Sequence, residues 1–221
     1  ATSLEILKNP VLIDFLNYKN KDDSKVSIKF NGDYFLNKKL SIKSLSLINE
    51  KNKFIIQNLL IDKNQMIEKI DQISFNYLDE ENIKNNFSMI NNNNTYFLSG
   101  LSFNAGPIIT KMIKDDSNKK LNIFSKNLNI NLKLDQVFLD KESKVKNLKG
   151  KFYIKNNEIS DGNLDALFSQ NKFMKFTINS NHEGKVSTLF LDNAEPIVKR
   201  YKFIKGYQEG SLDFYSFKNK N

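Results

Sequence analysis

Leu128-Asn129-Ile130-Asn131-Leu132-Lys133-Leu134-Asp135 alternates apolar and polar residues without a break. A period of two places Leu128, Ile130, Leu132 and Leu134 on one face of a β-strand and the polar residues on the other. Val26-Ser27-Ile28-Lys29-Phe30, Ile73-Ser74-Phe75-Asn76-Tyr77 and Met174-Lys175-Phe176-Thr177-Ile178 repeat the pattern. Leu40 and Ile42 alternate in one phase and Leu45 and Leu47 in the other, which predicts a bulge near Lys43-Ser44. Further strands are expected at residues 54–61, 87–90, 96–103, 145–154, 186–191 and 212–217. Turn signals at Asn31-Gly32-Asp33, Asn91–Asn94, Asn156-Asn157 and Asp161-Gly162-Asn163 separate them. The fold expected is mainly β, an antiparallel meander.

Helical signals are few. Leu4, Leu7, Val11, Leu12 and Phe15 share one helical face and predict a short N-terminal helix over residues 4–16, which Pro10 complicates. Two other stretches match each other. Phe103-Asn104-Ala105-Gly106-Pro107-Ile108-Ile109 aligns with Asp192-Asn193-Ala194-Glu195-Pro196-Ile197-Val198. Each follows an apolar strand, and each reads as a strand stopping and a helix starting. Asn or Asp can cap free N–H groups, and Pro in the first turn has no N–H to waste. Ile108 and Ile197 are expected to seat these helices on the sheet, and Asp115-Asp116 and Lys205-Gly206 to end them.

The chain has 221 residues, a net charge of +9, no Cys, no Trp and one His. That length suits one large domain or two small ones with a sizeable core. Absence of Cys excludes disulfides, thiolate metal sites and Cys nucleophiles. No stretch approaches the ~20 apolar residues that a helical bilayer crossing needs. The start Ala1-Thr2-Ser3, with no Met and no signal-peptide pattern, is that expected of a fragment or processed product. Lys is scattered through every segment and Arg occurs once, at Arg200, so no clustered basic surface suggests a nucleic-acid partner. The 33 Asn, with abundant Lys, Ile and Phe, are equally explained by A/T-rich codons.

Catalytic constellations are scarce. His182 stands alone in a turn-like Asn181-His182-Glu183-Gly184, with no second His to share a metal. Asp22-Asp23, Glu80-Glu81 and Asp115-Asp116 lie in polar loops where carboxylates stay solvated. No phosphate loop, Ser elbow or zinc signature is present. The expectation is a protein without catalytic residues, metal or cofactor. The 18 Phe and 8 Tyr either fill an ordinary sandwich core or line the open face of an extended sheet, and periodicity alone does not choose.

The stretch from Tyr96 to Gly150 runs strand, Gly100, Leu101-Ser102-Phe103-Asn104-Ala105-x-Pro107, helix, Asn127–Leu132 and Val137-Phe138-Leu139, closing on Leu148-Lys149-Gly150. Ile159-Ser160-Asp161-Gly162, Leu191-Asp192-Asn193-Ala194 and Gln208-Glu209-Gly210-Ser211-Leu212 follow. This pattern resembles the AsmA-like superfamily of bacterial envelope proteins, in the C-terminal β-rich region of large members related to YhdP and TamB. The family's closing Gly-Gly-x-Leu keeps only its second Gly here.

The resemblance implies a long, curved antiparallel sheet folded into a groove, sometimes called a β-taco, with few short helices. Residues 1–95 would form an upstream groove section carrying the N-terminal helix, and residues 96–221 the AsmA-like C-terminal section. It also implies a periplasmic segment of a protein anchored in the bacterial inner membrane, moving phospholipid toward the outer membrane and supporting envelope integrity. Phe75, Leu128, Ile130, Leu132, Leu134, Phe176 and Phe214 are the candidate groove residues, and phospholipid acyl chains the expected partner. Two other functions compete. A scaffold would hold neighbouring β-segments or another envelope protein by strand addition, and a basic β-domain would bind an anionic surface. The groove needs a continuous apolar face, the scaffold an exposed uncharged edge, and the basic domain lysines gathered on one face.

Overall fold

Alternation becomes strand pairing in the computed structural model, which describes residues 2–7, 9–20, 24–35, 39–114, 124–168, 171–201 and 209–219. The chain opens with β1 (Thr2–Ile6), then the short pair β2 (Leu12–Ile13) and β3 (Tyr18–Lys19) flanking a 3-10 turn at Asp14–Leu16. A meander follows: β4 (Val26–Phe35), β5 (Lys39–Asn49), β6 (Asn52–Ile61), β7 (Ile67–Leu78), β8 (Lys84–Asn92) and β9 (Thr95–Asn104). Helix α1 (Gly106–Lys114) precedes a second meander of β10 (Leu128–Phe138), β11 (Lys144–Lys155), β12 (Glu158–Leu167), β13 (Phe173–Ser180) and β14 (Gly184–Leu191). Helix α2 (Glu195–Tyr201) and β15 (Leu212–Asn219) complete the described elements.

Thirteen strands form one sheet in the order β1-β4-β5-β6-β7-β8-β9-β10-β11-β12-β13-β14-β15. The sheet is long, curved and unclosed, with two short helices, as expected. One junction departs from the meander: β9 and β10 run parallel. Parallel neighbours need a crossover of a dozen or more residues. The connection after Asn104, which contains α1, carries the chain back to the other end of the sheet before β10 begins. Residues 95 and 96 both lie in β9, which is hydrogen-bonded on one side to β8 and on the other to β10.

A single sheet with one apolar face has no second layer to cover it, so curling and short covering elements must shield that face. Right-handed strand twist supplies part of the curl, and bulges sharpen it. The register between β4 and β5 slips where Asn31 faces Ser44 and Gly32 faces Ile42, leaving Lys43 as the extra residue in the predicted place. Asn93 and Asn94 (φ 50° and 64°) and Asn156 and Asn157 (φ 52° and 60°) make the expected hairpin turns. Asn tolerates that left-handed region better than most side chains do.

Three expectations need correction. The N-terminal stretch is not a helix: it is β1, the β2/β3 pair and a 3-10 turn. The buried Asn20 side chain accepts the Val11 N–H, fixing the chain after Pro10 in a hairpin rather than a helical turn. Asn31-Gly32-Asp33 and Asp161-Gly162-Asn163 are not turns but lie inside β4 and β12. Gly162 sits directly opposite Phe152, and a Cβ there would come within 2.2 Å of the Phe152 ring. The glycine is there to make room for an aromatic ring, not to turn the chain.

Candidate functional site

The inner face is built from rows of residues in register across the strands. The first row passes through Leu47, Phe54, Phe75 and Phe87, then Leu134 and Leu148, and reaches Met174 and Leu191. All eight are buried in one cluster. Covering elements explain this. Leu16 and Tyr18 come from the N-terminal segment, and Ala194 and Val198 from the start of α2, all buried in the same cluster. Tyr18, Phe54, Phe75, Phe87 and Phe103 form a chain of ring contacts with Tyr77, with centroids 4.7–5.9 Å apart.

A polar network ties off this capped end. The Asp79 carboxylate accepts from Asn85 Nδ2 (3.2 Å), Asn104 Nδ2 (2.8 Å) and the Ile83 and Glu81 amides (2.9 Å each). Asn104 Nδ2 also donates to Glu81 (3.1 Å), so Glu81 is half-buried and engaged rather than fully solvated as its loop suggested. Asn104 Oδ1 accepts from Gly106 N at 3.0 Å, and Asn193 Oδ1 from Glu195 N at 3.1 Å. Both Asn-Ala-x-Pro elements therefore start helices by the same side-chain cap. Among the described side chains of α2, Val198 is the buried one, and its counterpart Ile109 packs on the core, whereas Ile108 is 40% exposed. The expectation that Ile108 seats α1 is thus off by one residue. The Tyr77 hydroxyl donates to the Leu16 carbonyl at 3.1 Å; burial, then the nearby Asp79 charge, push its pKa up.

The middle row differs from the first. From β4 to β9 it runs Phe30, Leu45, Ile56, Ile73, Met89 and Leu98. From β10 to β15 it continues through Leu132, Gly150, Leu164, Phe176, Leu189 and Phe214. Every member is half-buried except Phe214, which is 50% exposed. No charged or polar side chain interrupts it. The result is a partly buried apolar row twelve strands wide, called the trough below, most of whose members pack against the buried clusters on either side. Beyond it lies a second buried cluster of Ile42, Leu59, Ile70, Tyr96 and Leu128, at the far end of the strands in the first meander and β10.

All seven candidate groove residues lie on this inner face, but in different rows. Phe75 and Leu134 belong to the buried first row, and Leu128 to the second cluster. Leu132, Phe176 and Phe214 are in the trough, and half-buried Ile130 lies one row beyond it, packed against the second cluster. The candidate list left out the trough residues Phe30, Leu45, Ile56, Ile73, Met89, Leu98, Leu164 and Leu189; alternation marked the strands of all but Leu164, whose strand was read as a turn.

At the far end Glu68 accepts from Lys39 (3.0 Å) and Lys126 (3.3 Å), and these hydrogen bonds pull its pKa below the usual carboxylate range. A separate cleft of about 310 Å³, lined by Met66, Phe124, Ser125, Lys126 and three Asn, lies there too and is polar. His182 is exposed in its turn, beside Glu183 at 3.7 Å. Among the described residues no group of three or more His, Asp or Glu is placed to hold a metal ion, and no helix is long and apolar enough to cross a membrane. Asp22-Asp23, Asp115-Asp116 and Lys205-Gly206 lie outside the described residues. Comparison with protein-family models, curated proteins and solved structures finds no match to this chain.

Proposed function

We propose that this chain is a lipid-holding section of an AsmA-like envelope protein, lying in the periplasm as part of a parent anchored in the inner membrane. It works by binding and passing phospholipid acyl chains toward the outer membrane, without catalysis. One observation carries this reading: the middle row stays apolar across twelve strands and keeps part of its surface open, with none of its members fully buried. A protein interior would bury such a row; a surface would break it with charge. An acyl chain laid along it removes apolar area from water at about 25 cal/mol per Å². Native mass spectrometry of the protein purified from a bacterial periplasm, followed by solvent extraction, tests it. Co-purifying phospholipid supports the trough, and a lipid-free protein that also takes up none from vesicles contradicts it.

A second reading rests on β15, the last strand of the sheet among the described residues. β15 spans eight residues without Pro, and its Phe214, Tyr215 and Phe217 are all exposed, so the stretch between its two charged residues, Asp213 and Lys218, is the uncharged part of the edge. Edges of that kind accept another strand, here a neighbouring β-segment of the parent chain or another envelope protein. A synthetic β-strand peptide that protects the β15 amides from hydrogen exchange supports it, and unchanged exchange contradicts it.

A further inference from the structure

The last two strands grade from apolar to cationic along the inner face. Starting at the capped end, the directly opposed pairs of β14 and β15 are Leu191/Leu212, Leu189/Phe214, Ser187/Ser216 and Lys185/Lys218. Each step is two residues, about 6.8 Å. Over the same distance the inner pairs of β10 and β11 remain apolar to the last, Leu128/Ile154. The outer face of β14 and β15 carries no such order, reading Phe190/Asp213, Thr188/Tyr215 and Val186/Phe217. The gradient therefore belongs to the inner face at the open side of the trough.

Two lysines directly opposed in an antiparallel pair repel each other. Lys218 alone is explained as a charge guarding an edge strand, but Lys185 lies one strand in, its side chain only 29% exposed. The carboxylate facing Lys185 is Glu158, at 3.7 Å. Among the described residues no carboxylate comes within ion-pair distance of Lys218. An anion placed between the two ammonium groups removes the repulsion and gains charge-assisted hydrogen bonds. The hydroxyls of Ser187 and Ser216 stand between that point and the apolar pairs.

We propose that Lys185, Lys218, Ser187 and Ser216 seat the phosphate headgroup of an anionic amphiphile whose acyl chain lies on Leu189 and Phe214. This rests on the trough reading above and adds the residues that hold the headgroup and an orientation, with phosphate at the far end and chain toward the capped end.

The test uses the full chain and three probes: palmitoyl lysophosphatidate, monopalmitoylglycerol, which has the same chain and glycerol without phosphate, and inorganic phosphate. The wild-type protein should bind lysophosphatidate about tenfold tighter than monopalmitoylglycerol, a difference of about 1.4 kcal/mol. Inorganic phosphate should not displace it. The double variant Lys185→Gln/Lys218→Gln should bring the two amphiphiles to parity and leave monopalmitoylglycerol binding unchanged. Lys133→Gln/Lys149→Gln, which removes an opposed pair from β10 and β11 on the outer face, should keep the preference. Equal wild-type affinities, a preference that survives in Lys185→Gln/Lys218→Gln, or equal loss in the outer-face control overturns the headgroup seat while the trough stands. Phosphate binding as tightly as lysophosphatidate overturns the lipid as its source. If neither amphiphile binds, the trough reading fails as well.

Discussion

Leu132 and Leu134 sit two residues apart on the same face of β10, yet one lies in the half-open row and the other is 3% exposed. Replacing each with Lys separates an open trough from a closed core. At position 132 the substitution forfeits most of a leucine's burial, roughly 1.5 kcal/mol. The new ammonium reaches water along its flexible stem. At position 134 the whole burial is lost and an unpaired charge is placed among Gly100, Leu148 and the buried cluster, a cost of roughly 4 kcal/mol or more. With a urea slope of about 3 kcal/mol per M, Leu132→Lys should lower the unfolding midpoint by about 0.5 M and Leu134→Lys by more than 1 M. Circular dichroism during urea titration reads both, and lipid extraction of the folded Leu132→Lys protein should recover much less phospholipid than the wild type. Equal midpoint losses would place Leu132 in an ordinary core. A folded Leu132→Lys protein with undiminished lipid would place the lipid elsewhere.

The two helix caps should differ, because Asn104 serves both its helix and the buried Asp79 while Asn193 serves its helix alone. Asn104→Ala should cost roughly 2–4 kcal/mol and Asn193→Ala about 1 kcal/mol in urea titration, and equal costs would refute the network's role. Ile109→Asp should destabilise by roughly 2–4 kcal/mol and Ile108→Asp by about 1 kcal/mol, since of the two only Ile109 packs on the core. Tyr77 has a raised pKa in the folded state, so above pH 10.0 the unfolded chain loses that proton first and stability falls as pH rises. Tyr77→Phe should flatten this alkaline loss, read as unfolding midpoints between neutral and strongly alkaline pH. Glu68 has the opposite sign: its lowered pKa supports the fold above 4.5 and that support is lost as pH falls below it. Glu68→Gln should remove that part of the acid response, read by carboxylate NMR titration beside unfolding at each pH.

Local pattern carried much of this architecture. The alternation at residues 128–135 gave strand, face and burial phase because side-chain direction in a strand depends only on parity. The Asn-Ala-x-Pro pair was legible because capping chemistry is local, and both Asn side chains make the expected bond. What failed was decided by distant residues. Gly162 looked like a turn until Phe152, ten positions earlier, was seen to need the space above it. The apolar spacing of residues 4–16 mimicked a helix, while Asn20 supplied the acceptor that holds a hairpin instead. The division between buried Phe75 and half-open Phe176 could not be read locally, since both alternate alike. It depends on which rows the N-terminal turn and the helix starts cover.

Nuclear Overhauser contacts between bound phospholipid and methyl-labelled methionines test the trough most directly. Met89 lies in the middle row and Met174 in the buried first row. The account predicts contacts from acyl-chain protons to the Met89 methyl and none to that of Met174. Bound lipid that contacts neither methyl, or contacts Met174 while sparing Met89, would contradict it.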